Sequence, residues 1–427
     1  MAPADAGTEA AGGVGPGGKG GEGGLGGNAG SAGAPTGGSG GAAGQGGVAG
    51  VGGMGGHAGE AGAAGAAASS GAAGMAGAAG AAGSAGAAGT AGTAGASGTG
   101  GTGGSTNGFA AFRYRRKLTI TAQTAVPHEY SVLFTLDHAT LCTDGKSLPS
   151  GRDVHVARWT GTTWIARDRV LGLESGWNEQ ATSVWFRPAL PVPVGQDESN
   201  YVYYGDPAAS VPAEDPTRVF MFVEDFESGT LDRWTPDGAG YWSVATDQAR
   251  SGQHALKAGP STGVGRKVVA TEVDLADMAV DAYWRMSQVA EMDLAQALRV
   301  VTSTDSHYET NLEGTPGWDI AKIINGGWTE IVNQPSGQNP QANVWTRVTT
   351  TIAGSTMAVF RNGSQIVPST GTTEMGGEIP GGAVGFRVWR IPNGQAWWID
   401  DVRVRKHVRP EPEVTVGPEE EAPFTSL

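Results

Sequence analysis

Trp318-Asp-Ile-Ala-Lys-Ile-Ile-Asn-Gly-Gly-Trp-Thr-Glu-Ile-Val332 decides the fold class. Trp318–Ile324 and Trp328–Val332 are short runs rich in β-branched and aromatic residues, and Asn325-Gly326-Gly327 between them supplies the left-handed turn chemistry that closes a tight hairpin. A second hairpin follows the same rule, with Asn362-Gly363 joining Met357–Arg361 to Ser364–Val367. No long amphipathic helical period interrupts this pattern, and turn signals recur at intervals of roughly 8–12 residues. The expected fold is all-β, a sandwich or jelly roll.

Working outward, this block opens at Val219-Phe-Met-Phe-Val-Glu-Asp-Phe226 and closes at Trp397-Trp-Ile-Asp-Asp-Val-Arg-Val404. A separate β block precedes it, with strands expected at 114–120, 130–136, 154–159, 183–187 and 201–204. On the first of these, Tyr114, Arg116, Leu118 and Ile120 share one face. Asp206-Pro207 through Asp215-Pro216 reads as the boundary. Before Phe109 the composition changes completely: 44 of the 73 glycines, and none of the 31 aromatic residues, lie in residues 1–108. Such a stretch has nothing with which to offset backbone entropy, and is expected to be a disordered spacer. Glycine recurs at every third position from Gly71 to Gly104, collagen's period, but without the proline that favours the triple helix. At the other end, Pro410, Pro412, Pro418 and Pro423 with the acidic run Glu419–Glu421 suggest a disordered tail. The expected organisation is therefore spacer (1–108), first β domain (109–215), second sandwich in tandem (216–407) and tail (408–427).

The folded remainder carries 27 basic against 38 acidic residues, a net of about −11, which disfavours a nucleic-acid partner. The basic cluster Arg113, Arg115, Arg116 and Lys117 reads as a solvated strand edge. Cys142 is the only cysteine, so no intramolecular disulfide or thiolate metal site is available. No stretch approaches the ~20 apolar residues of a membrane-spanning helix. Met1 is followed by Ala-Pro-Ala-Asp rather than by a basic and then apolar export segment. No G-x-S-x-G elbow occurs, and the histidines are scattered.

Phe112-Arg-Tyr-Arg-Arg-Lys-Leu-Thr-Ile120, Gly151-Arg-Asp-Val-His-Val156, Val184-Trp185 and Tyr203-Tyr-Gly-Asp-Pro207 resemble an uncharacterised bacterial surface-protein domain family. That family is recognised by Y-R-R-K-I-T-I, G-x-D-I-R-F and Y-Y-G-N-P, and is also fused to TolQ/ExbB-type proteins. Asp206 and His155 depart from its Asn and Arg. It has no established activity. Glu224-Asp-Phe-Glu-Ser-Gly229 with Leu231-Asp-Arg-Trp234, Val344-Trp-Thr-Arg347 and Ile399-Asp-Asp-Val402 resemble a concanavalin A-like, laminin-G-type sandwich, a fold that hosts lectins, glycosidases and spacers alike. The Gly/Ala-rich lead resembles spacers of myxobacterial exported lipoproteins, which implies an extracellular or cell-surface setting.

Three sets of residues are candidates for chemistry. Glu272-Val-Asp274-Leu-Ala-Asp277 is one residue from the E-x-D-x-x-E motif of a family of sandwich glycosidases that it resembles; Asp277 is a methylene shorter than the family's Glu. A solvent-facing acidic turn is the competing reading. Asp400 shares a strand face with Val402 and Val404, so an inward carboxylate needs an Arg, backbone N–H groups, or a structural calcium shared with Glu224, Asp225 or Glu227. Trp318, Trp328, Trp389, Trp397 and Trp398 offer indole faces on which sugars stack, with Asn325 and Asn333 to take hydroxyls. The reading that joins these is a monomeric, surface-displayed binding or adhesion protein taking a glycan or cell-surface polymer, with no required cofactor. A polysaccharide hydrolase and an inert spacer are the alternatives.

Overall fold

The computed structural model describes residues 108–238, 240–313, 317–334 and 339–422. The spacer expected over 1–108 lies outside the described residues except for Gly108. What is described is all-β, built from several packed sheets, with one α-helix, His138–Thr143, capped by Asp137. No described helix is long and apolar enough to cross a membrane.

The first block packs a five-stranded antiparallel sheet on a three-stranded one. The five run in the order Glu413–Glu421, Tyr114–Ala122, Gly195–Tyr204, His155–Trp159, Trp164–Arg167, and the three in the order Val132–Leu136, Thr182–Phe186, Arg169–Leu171. Alternation directs Leu118, Ile120, Phe134, Val184, Phe186 and Val202 into one shared core.

The strand Glu413–Glu421 corrects the expectation of a disordered tail. It pairs antiparallel with Tyr114–Ala122, from Tyr114 opposite Glu421 to Thr121 opposite Glu413. Val414 and Val416 pack on the core. The register shifts between Arg116 and Leu118, so Gly417 and Pro418 form a bulge on an edge strand, where a missing N–H is tolerated. The acids do not repel one another into solution, because basic side chains receive them: Glu420 accepts from Arg115 Nε of the basic edge at 2.9 Å, and Glu419 pairs with Lys146, from the loop after the helix, at 2.8 Å. The last described strand thus completes the first sheet, and the second block is inserted between the strands of the first instead of simply following it.

That second block is a sandwich. One sheet runs Trp242–Ala245, Ala255–Ala258, Trp397–Lys406, Met278–Met286, Thr346–Ala353, Thr356–Arg361, Ser364–Val367, with Phe222–Glu224 and Thr373–Glu374 attached beside it. The other runs Gly327–Gln334, Gly317–Ile324, Ser306–Glu313, Asp293–Val301, Gly382–Ile391, Ser261–Leu275, Thr235–Pro236. Between them lie Trp284, Trp318, Trp397 and Phe386, with the Trp284 ring 4.8 Å from Trp397 and 5.7 Å from Trp318. Both hairpin turns take the left-handed geometry that Asn-Gly favours: φ is 51° and 78° at Asn325 and Gly326, and 48° and 81° at Asn362 and Gly363.

The two blocks touch through polar contacts and through the Trp185 and Phe220 rings, 5.7 Å apart. Arg403 donates to Leu171 O at 2.9 Å, Arg250 to Leu173 O at 2.6 Å, and Arg347 pairs with Glu174 at 3.3 Å. A cavity of about 1210 Å³ lies along this seam, lined by residues that include Tyr130, Trp185, Arg347, Arg403 and Glu411.

Candidate functional site

The seven-stranded sheet presents its second face away from the sandwich core. On Ser306–Glu313, Tyr308 and Leu312 point into the core, so alternation sends His307, Glu309, Asn311 and Glu313 to that outer face. On Gly317–Ile324 the same rule turns Trp318 and Ile320 inward and Asp319 outward. On Gly382–Ile391 it turns Arg387 and Trp389 outward, opposite Phe386 and Val388.

Most of these outward polar side chains are nonetheless buried, with Glu309 and Asp319 both 0% exposed, and Glu313 and Arg387 are half-buried. Burial of this kind demands partners. Glu309 accepts from His307 Nε2 at 3.1 Å, Asn311 Nδ2 at 3.1 Å and Arg387 Nη1 at 3.1 Å. Burial pulls its pKa upward, but the His307 hydrogen bond and the Arg387 charge outweigh it and hold Glu309 below the usual carboxylate range. Asn311 Nδ2 also donates to Asp319 Oδ1 at 2.8 Å. Burial, with the charges of Glu313 and Glu309 behind it, pushes Asp319 up to about 8. Asp293, on the adjacent strand, is raised to about 6 by burial and the same two glutamates. One oxygen from each of Glu313, Asp319 and Glu330 lies within 4.8 Å of the others.

Two indoles flank this strip. Trp328 sits opposite Ile323 on the outermost strand and is 46% exposed; Trp389 is 41% exposed, with the Arg387 guanidinium 5.3 Å from its ring centroid. The solvent-facing margin of the strip, Glu330 and Asn333 with the half-buried Glu313 and Arg387, offers carboxylates, an amide and a guanidinium, a set suited to hydroxyl-rich ligands, while Glu309, Asn311 and Asp319 are buried.

The sequence candidates sort unevenly against this geometry. Trp328 and Trp389 lie on the outer face, whereas Trp318 and Trp397 are core residues and Trp398 is buried, donating to Asp247 at 2.9 Å. Asn325 is a turn residue whose N–H donates to Ser306 Oγ, and Asn333 donates to Glu330 Oε2 at 3.1 Å.

The acids at 272–277 do not converge. Glu272 is exposed and accepts from Arg233 at 2.6 Å; Asp274 is exposed; Asp277 Oδ1 accepts from Arg299 at 3.1 Å and Gly354 N at 2.7 Å. Glu272 and Asp277 face different neighbours, because the strand carrying Glu272 ends at Leu275 and Asp277 lies beyond it.

Of the partners expected for the inward Asp400, backbone N–H groups are the ones in place. Asp400 Oδ2 accepts from the N–H groups of Arg250 at 2.7 Å and Ser251 at 3.2 Å, and Oδ1 from Asp401 N at 2.8 Å. Glu227 accepts from the N–H groups of Gln253 and His254, both at 2.8 Å, and Asp225 from Glu227 N at 3.1 Å. A single loop, Arg250–His254, thus supplies the positive ends of backbone dipoles that a shared cation would otherwise provide. Among the described residues, Asp225, Glu227 and Asp400 form no metal-binding group; the one acidic group with suitable spacing is Glu313, Asp319 and Glu330. Sequence reasoning missed that group, though a signal was present in the period-2 recurrence of His307, Glu309, Asn311 and Glu313 along one strand.

No family model matches the chain, and no curated protein matches it. Among solved structures it is similar to the carbohydrate binding module CBM66 from Bacillus subtilis, at 12% identity and TM-score 0.33, over 41% of this chain and 96% of that one. It is similar to a Bacillus licheniformis beta-glucanase at 12% identity and TM-score 0.34, over 44% and 98%. An endo-beta-1,4-glucuronan lyase from the fungus Trichoderma reesei is similar at 15% identity and TM-score 0.32, over 44% and 96%.

Proposed function

We propose that this chain is a non-enzymatic carbohydrate-binding protein whose site is the outer face of the seven-stranded sheet. The observation that carries the reading is the pair of exposed indoles, Trp328 and Trp389, on one face with a polar strip between them. Sugars stack their apolar C–H patches on indole faces and direct their hydroxyls to neighbouring acceptors and donors, so this alternation of ring and polar strip suits an oligosaccharide. Catalysis is the weaker reading, because hydrolysis needs two carboxyls facing a substrate across a groove. Glu309 is fully buried and engaged by three donors, and Glu272 and Asp277 face different neighbours. The Gly/Ala-rich lead then acts as a stand-off from a cell surface, and the first block as the base on which the sandwich is mounted.

The test is retention of the full chain on immobilised polysaccharides and a glycan array, compared with Trp328→Ala and Trp389→Ala. Retention lost in both variants at unchanged melting temperature supports the reading. Reducing-sugar release by the wild-type chain would replace it with the hydrolytic one.

A further inference from the structure

The acidic group on the outer face has a feature that hydrogen bonding leaves unexplained. Asp319 is fully buried and Asn311 is 2% exposed, yet Asn311 Oδ1 has no hydrogen-bond partner among the described residues, and Asp319 Oδ2 has none beyond the neighbouring Glu313 carboxyl. Both are acceptors. The side chains of the group that crowd Asp319, Glu313 and Glu330, are carboxylates and therefore acceptors too. Leaving a buried carboxylate oxygen unpaired is costly, and gathering two more carboxylates around it adds repulsion.

The register explains why these groups meet. Asn311 stands directly opposite Asp319, and Asp319 opposite Asn333, so three strands set a row of short polar side chains across the outer face. Glu313 lies two residues beyond Asn311 on its strand. A register shift between Ile320 and Ala321 brings Glu330 in from the third strand. The orientation of the Asn311 carboxamide is fixed by its nitrogen, which donates to both Glu309 and Asp319 and leaves the carbonyl oxygen free.

We infer that Glu313, Asp319 and Glu330, with the carbonyl oxygen of Asn311, form a site for a divalent cation, and that the cation is calcium. The donor set is all oxygen, three carboxylates and a carboxamide, which selects a hard cation over zinc or copper. The donors come from three strands at irregular offsets, which suits the flexible geometry of calcium better than the strict octahedron of magnesium. A cation there removes both difficulties at once, because it gives the orphaned oxygens a partner and neutralises the repulsion among the three gathered carboxylates. Glu330 is exposed, so the site opens to solvent on the side of Trp328. The inference stands whether or not the face takes a glycan.

The experiment is calorimetric titration of the EDTA-stripped full chain with calcium chloride, alongside thermal melts. The expected result is saturable binding with a stoichiometry of one and a melting temperature raised by roughly 5 °C at about a hundredfold excess over Kd. Asp319→Asn should abolish both. Glu330→Gln, at an exposed position that does not endanger folding, should weaken binding at least about tenfold. Glu272→Gln, an exposed acid elsewhere, should bind like the wild type. Absence of heat and of any melting shift in the wild type up to about 10 mM calcium would overturn the site in favour of a proton shared within the cluster. Undiminished binding in both Asp319→Asn and Glu330→Gln would overturn it in favour of a cation held elsewhere. Loss of glycan retention in the tryptophan variants is read separately from both outcomes.

Discussion

The phenol of Tyr204 donates to Glu419 at 2.8 Å across 215 residues of sequence. This bond ties the end of the first block's central strand to the strand that closes its sheet, and the inserted sandwich lies between them in the chain. The strand Glu413–Glu421 is therefore structural. Deleting 409–427 should expose the edge Tyr114–Ala122 and uncover part of the first core, giving a lower melting temperature and concentration-dependent self-association through the bare edge. Size-exclusion chromatography and thermal melts check it; an unchanged melt and a monomeric profile would count against it.

Replacing Glu419 alone should be milder. Glu419→Ala removes the acceptor for both Tyr204 and Lys146, and the expected cost is on the order of 1–3 kcal/mol by chemical denaturation. Glu421→Ala, at the edge of the same strand and exposed, should stay within about 0.5 kcal/mol.

Asp400 carries the clearest pH dependence. Burial, with the Asp401 charge beside it, pushes its carboxyl up to about 7 even though three N–H groups donate to it. An unfolded aspartate titrates near ~3.9, so between those values the folded state holds the extra proton. The stability from this group is fully present below about pH 4 and is lost as pH rises through about 7. Between pH 5 and pH 8 the wild type should lose on the order of 2–3 kcal/mol relative to Asp400→Asn, which has no proton to lose. Denaturation series at the two pH values measure the difference, and parallel curves for the two proteins would refute it.

Aromatic residues should divide by location. Trp284→Ala empties a fully buried position between Trp318 and Trp397 and should cost about 3–5 kcal/mol. Trp389→Ala should change stability by less than about 1 kcal/mol while removing retention on glycan. A stability loss as large as that of Trp284→Ala would place Trp389 among the core residues.

Glu272 should prove inert. Its partner Arg233 and Glu272 itself are 41% and 49% exposed, and such pairs are screened and weak. Glu272→Gln should shift stability by less than about 0.5 kcal/mol and leave glycan retention intact. A loss of retention would return the acids at 272–277 to the site.

Chain-local chemistry determined the β class. The Asn-Gly turns needed no distant contact, because Asn325, Gly326, Asn362 and Gly363 adopt left-handed φ values cheaply wherever they stand, and alternation alone told which residues of a strand share a face. What covers a face, and which distant strand arrives beside it, belonged to the tertiary structure. Glu413–Glu421 looked like a tail because Pro418 and three acids argue against a strand in isolation; a bulge accommodates the proline, and Arg115, Arg116 and Lys146 receive the acids, Arg115 from 305 residues away. The inward aspartate at 400 was legible from its apolar strand neighbours, but its partner was not, since the loop Arg250–His254 reaches it only in the fold. Likewise the alternation of His307, Glu309, Asn311 and Glu313 marked a polar face, whereas the unpaired oxygens on it arise only when the register sets Asn311 against Asp319 and a bulge brings in Glu330.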